Sequence, residues 1–178
     1  MWLQRAAGRA EASGGFVLYV EGPRDRDIVR AWARRLSPRL GRAVGGSAVI
    51  LGGRQPARAV AHLRELRSRG GRWRGLCVLD RDDPVAPAGP GREVEPGLDF
   101  FTWSRRHIES YLLVPDTIRR GLRISPDEPR GRWLRELLPD PGDEEALSQF
   151  DAKRLLGRNG PLAEAVGSIT PSRIARLM

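Results

Sequence analysis

Four acidic side chains stand where carboxylates could act together. Glu21 directly follows the apolar run Phe16-Val17-Leu18-Tyr19-Val20 and sits on a Gly22-Pro23 turn. Asp25 opens the helical pattern that comes next, and Asp80 and Asp82 directly follow a later apolar run, Leu76-Cys77-Val78-Leu79. In open parallel sheets, functional groups collect outside the carboxyl ends of the strands, so these four could meet at one edge. Asp80 and Asp82 are two residues apart, which in extended chain puts both on one side at roughly 7 Å. Clustered carboxylates repel, and a hard divalent cation holds them together. An oxygen-only donor set suits Mg²⁺ or Mn²⁺ rather than zinc. Plainer uses compete. Asp25 fits a helix cap, and Asp82-Asp83-Pro84 fits a turn. Glu21 has no evident packing purpose, and the four taken together favour a metal centre.

Positioning them requires a particular order of elements. The run 16–20, rich in β-formers and stopped by Glu21-Gly22-Pro23, reads as a buried strand. From Asp25 the spacing turns helical, with Ile28, Val29, Trp32, Ala33 and Leu36 on one face and arginines on the other, until Ser37-Pro38. Ala48-Val49-Ile50-Leu51 is a second strand ending at Gly52-Gly53. Pro56 opens a helix with Val60, Leu63 and Leu66 inward and Gly70-Gly71 as its stop. Leu76–Leu79 is the third strand. Strand and helix alternating in this way predict an α/β fold, a Rossmann-like parallel sheet flanked by helices. Pro84 to Gly97 reads as a long loop and Asp99 to Trp103 as a further strand. Helical patterning at Ile108, Tyr111 and Leu112 is interrupted by Pro115. Beyond Pro126 the chain reads as helical pieces, the last opened by Thr170-Pro171-Ser172. The expected organisation is a flexible segment 1–15 and a domain 16–178 that includes a helical carboxyl-terminal extension.

Composition narrows the function classes. At 178 residues the chain can bury a core without disulfides or structural metal. One cysteine, Cys77, and two histidines, His62 and His107, exclude a disulfide framework and a zinc finger. No P-loop motif occurs, and no apolar run approaches the roughly 18 residues of a membrane span. With no signal-peptide core at the start, a cytoplasmic location without membrane attachment is expected. Thirty-one basic against 22 acidic residues give a net charge of +9, with an isoelectric point near 11.2. That balance favours a polyanion, nucleic acid above all, although a coding sequence rich in G and C produces the same arginine bias. His62, mid-helix among arginines, is expected to be a solvated surface residue, and His107 adjoins Glu109. Lys153 is the only lysine, and a lone Lys among arginines marks a position suited to a compact ammonium.

Val20-Glu21-Gly22-Pro23-Arg24-Asp25 and Leu79-Asp80-Arg81-Asp82-Asp83, some 55 residues apart and each after an apolar strand, resemble the two motifs of a TOPRIM domain. The chain is most similar to the OLD-type (overcoming lysogenisation defect) nucleases over residues 16–178. Arg105-Arg106-His107-Ile108-Glu109-Ser110-Tyr111 resembles that group's third acidic motif, with Glu109 as the acid. Asp151-Ala152-Lys153-Arg154 resembles the stretch holding its functional lysine. The resemblance implies metal-dependent hydrolysis of DNA phosphodiester bonds. Glu21, Asp25, Asp80, Asp82 and Glu109 would hold one or two Mg²⁺ or Mn²⁺ ions, and Lys153 would offset charge on the phosphate. Members of that group usually carry an ATPase domain ahead of this one, and no such domain is read here, so the resemblance implies a stand-alone subunit, a fragment, or the partner of a separate ATPase in a defence or DNA-repair setting. Cleavage of structured RNA, and a non-catalytic DNA-binding regulatory subunit, are the alternatives.

Overall fold

A computed structural model describes residues 15–82, 89–91 and 95–178. The amino-terminal segment 1–14, Asp83, and 84–88 and 92–94 of the expected loop lie outside the described residues. The chain divides into two compact units. The first holds the described residues up to 80 together with 89–91 and 95–103, and the second holds 81–82 and 104–178.

The first unit is α/β. Strands β1 (Phe16–Val20), β2 (Ala48–Ile50), β3 (Arg74–Leu79), β4 (Gly89–Pro90) and β5 (Leu98–Thr102) form one sheet in the order β2-β1-β3-β5-β4. β2, β1, β3 and β5 are parallel, and β4 runs antiparallel to β5. The central strands are apolar almost throughout because both faces are covered: Val17–Val20 and Gly75–Leu79 are buried. From β1 the chain crosses to β2 on one side, then returns past β1 to β3 on the other. The strand order therefore reverses between β1 and β3, where open α/β sheets form a crevice at the carboxyl ends.

Two helices precede β2. In α1 (Pro23–Leu36), Pro23 supplies the fixed φ of a first turn, Asp25 faces the positive helix end and Arg34 and Arg35 the negative one. Ile28, Val29 and Ala33 are buried as the spacing predicts, and Ala31 joins them. Leu36, the last residue of the helix, departs from the expected inward face and is 56% exposed. A further departure follows it. Pro38–Ser47 is a helix, α2, where glycines at 41, 45 and 46 left no helical signal in the sequence. Packing against α1 outweighs that low propensity. α3 (Pro56–Ser68) buries Ala59 and Leu63 and packs Val60 and Leu66 at the margin of a cluster with Val17, Tyr19, Cys77 and Leu79.

Alternation along the strands assigns the two faces. Phe100 packs with the α3 cluster, whereas Trp103, on the opposite side of β5 with Phe101, meets Trp32 of α1 at 6.2 Å and 78°. α1 and α3 thus cover opposite faces.

The second unit is helical, comprising a 3₁₀ helix (Ile108–Leu112), α4 (Pro115–Leu122), α5 (Pro129–Leu137), α6 (Glu144–Gln149), α7 (Ala152–Leu155), α8 (Pro161–Val166) and α9 (Pro171–Leu177). Ile108, Leu112, Ile118, Leu134 and Ile174 form part of its core. The interruption expected at Pro115 is present: the 3₁₀ helix ends at Leu112 and Pro115 opens α4, as Pro129, Pro161 and Pro171 open their helices. Thr170 caps α9 as its sequence predicts, accepting from the Arg173 N–H at 3.3 Å. Among the described residues no helix is long and apolar enough to cross a membrane.

Candidate functional site

In the first unit the predicted acids converge at the carboxyl edge of β1 and β3. Asp80, the first residue past β3, is 2% exposed. Its backbone N–H donates to Glu21 Oε1 at 2.8 Å, which ties the ends of the two adjacent strands together. Asp25, in the first turn of α1, accepts from the Gly22 N–H through Oδ2 at 2.6 Å, which is the capping role its position allowed. A carboxylate oxygen of Asp25 and one of Asp80 lie within 4.8 Å of each other.

Glu21 has the structural partners that the sequence left unseen. Its carbonyl accepts from the N–H groups of both Gly52 and Gly53 at 3.0 Å. Those glycines hold φ of 79° and 114°, a region that side chains avoid. The turn they make brings in Arg54, a residue the sequence reading missed. Its Nη1 donates to the Asp80 carbonyl and stands 4.0 Å from Glu21 Oε1. A guanidinium therefore supplies part of the countercharge that repelling carboxylates need. The only advance sign of it was a glycine pair at the end of a strand, followed by an arginine.

The same edge shapes Cys77 and Tyr19, which lie on the α3 face of the sheet. Burial pushes the Cys77 thiol up to about 12, with the nearby Glu21 charge adding to the effect and Arg54 opposing it. The Tyr19 hydroxyl is likewise pushed up to about 12, chiefly by burial. It is hydrogen-bonded to His62 Nδ1 at 3.0 Å, and the two rings meet edge to face. His62 is thus half-buried against a core tyrosine rather than the solvated residue its neighbours implied. On the α1 face, Phe101, Trp103 and Trp32 form a half-buried aromatic group where β5 ends.

The remaining predicted residues belong to the second unit. Asp82 is exposed. Glu109, in the 3₁₀ helix, is 1% exposed, and His107 just before it is 6% exposed. Lys153 is half-buried on α7 and borders an open groove of about 340 Å³ with Arg154, Asn159 and Glu164. Arg105 organises the segment ahead of Glu109. It donates to both Glu144 carboxylate oxygens at 3.0 and 2.7 Å and to the Ser110 carbonyl at 2.9 Å. Its guanidinium also lies 4.8 Å over the Tyr111 ring. That paired hydrogen bond holds the Glu144 carboxyl below its ordinary value. Tyr111 is a structural anchor here, its hydroxyl accepting from the backbone N–H groups of Ser104 and Arg105.

Chemically, Asp25 and Asp80 offer hard oxygen donors close enough to share one small divalent cation. Glu21 and Arg54 fix the backbone that carries Asp80. Comparison of the chain with protein-family models, with curated proteins and with solved structures returns no match.

Proposed function

We propose that the protein is a metal-dependent phosphodiester hydrolase acting on DNA. The observation that carries this reading is the approach of the Asp25 and Asp80 carboxylates at the carboxyl edge of adjacent parallel strands. The resemblance of the two motifs to a TOPRIM domain supports it, and so does the net charge of +9.

On this reading Asp25 and Asp80 hold Mg²⁺ or Mn²⁺, and the resemblance adds Asp82 and Glu109 to the ligands. When bound, the cation supplies Lewis acidity toward a phosphate oxygen and a water of lowered pKa. Glu21 and Arg54 act as positioning residues, because both grip the Asp80 backbone. Lys153, assigned by the resemblance, would stabilise charge that develops on the phosphate.

Supercoiled plasmid incubated with Mg²⁺, Mn²⁺ or EDTA tests the proposal. Nicking should require metal, and Asp80→Asn should lower it by at least roughly a hundredfold while the melting temperature stays near the parent's. Cleavage by Asp80→Asn at the parental rate would refute the assignment. A structured RNA run in parallel distinguishes the nucleic acid cleaved.

Arg54 favours a second reading, a DNA-binding subunit without catalysis, since a guanidinium already lies beside Glu21. Such a subunit would bind DNA equally well in EDTA, and Asp80→Asn would change nothing.

A further inference from the structure

The positive charge is not spread evenly along the chain. Between Asp27 and Glu65 lie 37 residues without one acidic side chain, and eight of them are arginines: 30, 34, 35, 39, 42, 54, 58 and 64. Their +8 stands against +9 for the entire chain, so the other 141 residues together contribute only +1. Nearly the whole excess is thus contained in one stretch.

The stretch comprises most of α1, then α2, β2 and the first part of α3. Its helical hairpin is contiguous in space as well as in sequence, because α1 packs against α2, and α1 also meets β2, an outer strand of the sheet. α1 and α2 run antiparallel. Arg34 of α1 lies against Gly41 of α2, and Arg30 Nε comes within 3.0 Å of where a Cβ on Gly45 would sit. With no side chain at 41 or 45, the arginine stems cross the seam between the helices. Arg34, Arg35, Arg39 and Arg42 are all exposed. At the other end of the stretch, Arg54 is exposed at the turn after β2 and Arg58 in the first turn of α3, and Arg54 reaches the Asp80 carbonyl.

We infer that the α1–α2 hairpin and the β2 margin form the surface that grips the nucleic-acid phosphate backbone and leads it toward the carboxyl edge of the sheet. The inference names the contact surface for the DNA-hydrolase reading and rests on it for the choice of polyanion. Phosphates spaced along a strand match a row of guanidiniums carried on two helices. An anionic bilayer fits less well, because insertion needs apolar side chains. The exposed large hydrophobics among residues 28–64 are two isolated side chains, Leu36 at the end of α1 and Ile50 at the end of β2, against eight arginines.

The test is binding of a fluorescein-labelled DNA duplex in EDTA, which separates binding from cleavage, across a salt titration. One variant replaces Arg34, Arg35, Arg39 and Arg42 by Gln, which preserves the stem that Arg34 lays on Gly41. A control variant replaces four exposed arginines of the second unit by Gln: Arg130, Arg132, Arg135 and Arg158. Melting temperatures show that both variants fold. The hairpin variant should bind at least roughly tenfold more weakly, with the slope of log K against log salt reduced by about three to four. The control should stay close to the parent. Equal losses in both variants, or no DNA binding by the parent, would overturn the inference. So would parental binding only to phosphatidylcholine–phosphatidylserine vesicles. If the parent binds DNA through the hairpin yet never cleaves it with metal, the hydrolase reading fails while the surface stands.

Discussion

Cys77 lies two residues before the end of β3 and reports on the edge where the carboxylates gather. Its thiol is pushed up from 9.0 to about 12, first by burial and then by the Glu21 charge. A raised value means the folded state keeps a proton that the unfolded chain gives up. The thiol's contribution to stability is therefore complete below pH 9.0 and is lost as pH rises toward 12. Tyr19, raised from 10.0 to about 12, adds to the loss above pH 10.0. Stability from urea midpoints should be flat up to pH 9 and then fall by as much as about 1.4 kcal/mol per pH unit for each group. Cys77→Ala should flatten the first part of that decline. An unchanged alkaline limb in the variant would show that other groups cause it. Glu21→Gln removes a neighbouring negative charge, so the thiol should titrate lower than in the parent.

At the scale of elements, the α1–α2 hairpin depends on how closely two helices approach. A Cβ at Gly41 would collide with the Arg34 side chain and come within 3.0 Å of the Arg34 Cα. Gly41→Ala should therefore destabilise by about 1–3 kcal/mol, through overpacking that backbone cannot relieve cheaply. Gly46, in the same helix, has nothing within 4 Å of a Cβ. Gly46→Ala should stabilise by about 0.5–1 kcal/mol through helix propensity alone. Chemical denaturation of the pair separates close packing from propensity, and equal effects would refute the packing account. This is also where the sequence was least legible. α2 has three glycines in ten residues, and only its contact with α1 makes it a helix. The apolar runs of β1 and β3 and the face of α3 were legible, because burial on both sides or on one writes itself into composition and period.

For the whole molecule, a net charge of +9 opposes compaction. Raising salt from about 0.01 to 0.15 M shortens the screening length from roughly 30 to 8 Å, so the melting temperature should rise over that range. DNA affinity should fall over the same range, since counterion release acts in the opposite direction. Opposite salt trends on one protein, read by calorimetry and by anisotropy, would tie both effects to the same arginines. A melting temperature that falls with salt would mean that specific ion pairs, such as Arg105–Glu144 and Arg64–Glu95, outweigh the general repulsion.

The sequence by itself determined the alternation of strands and helices, the parallel sheet and the placement of Glu21, Asp25 and Asp80 beyond strand ends. These follow from local patterns: apolar runs, turn residues and caps act over a few neighbours, so they can be read along the chain. Tertiary structure alone decided which partners those residues found. Arg54 reaches Asp80 across 26 residues and Glu21 reaches it across 59, and His62 settles on Tyr19 across 43. Each of these contacts depends on strand order and on which face a helix covers. Both are set when the elements bury their apolar surfaces together, a global choice that no local spacing encodes.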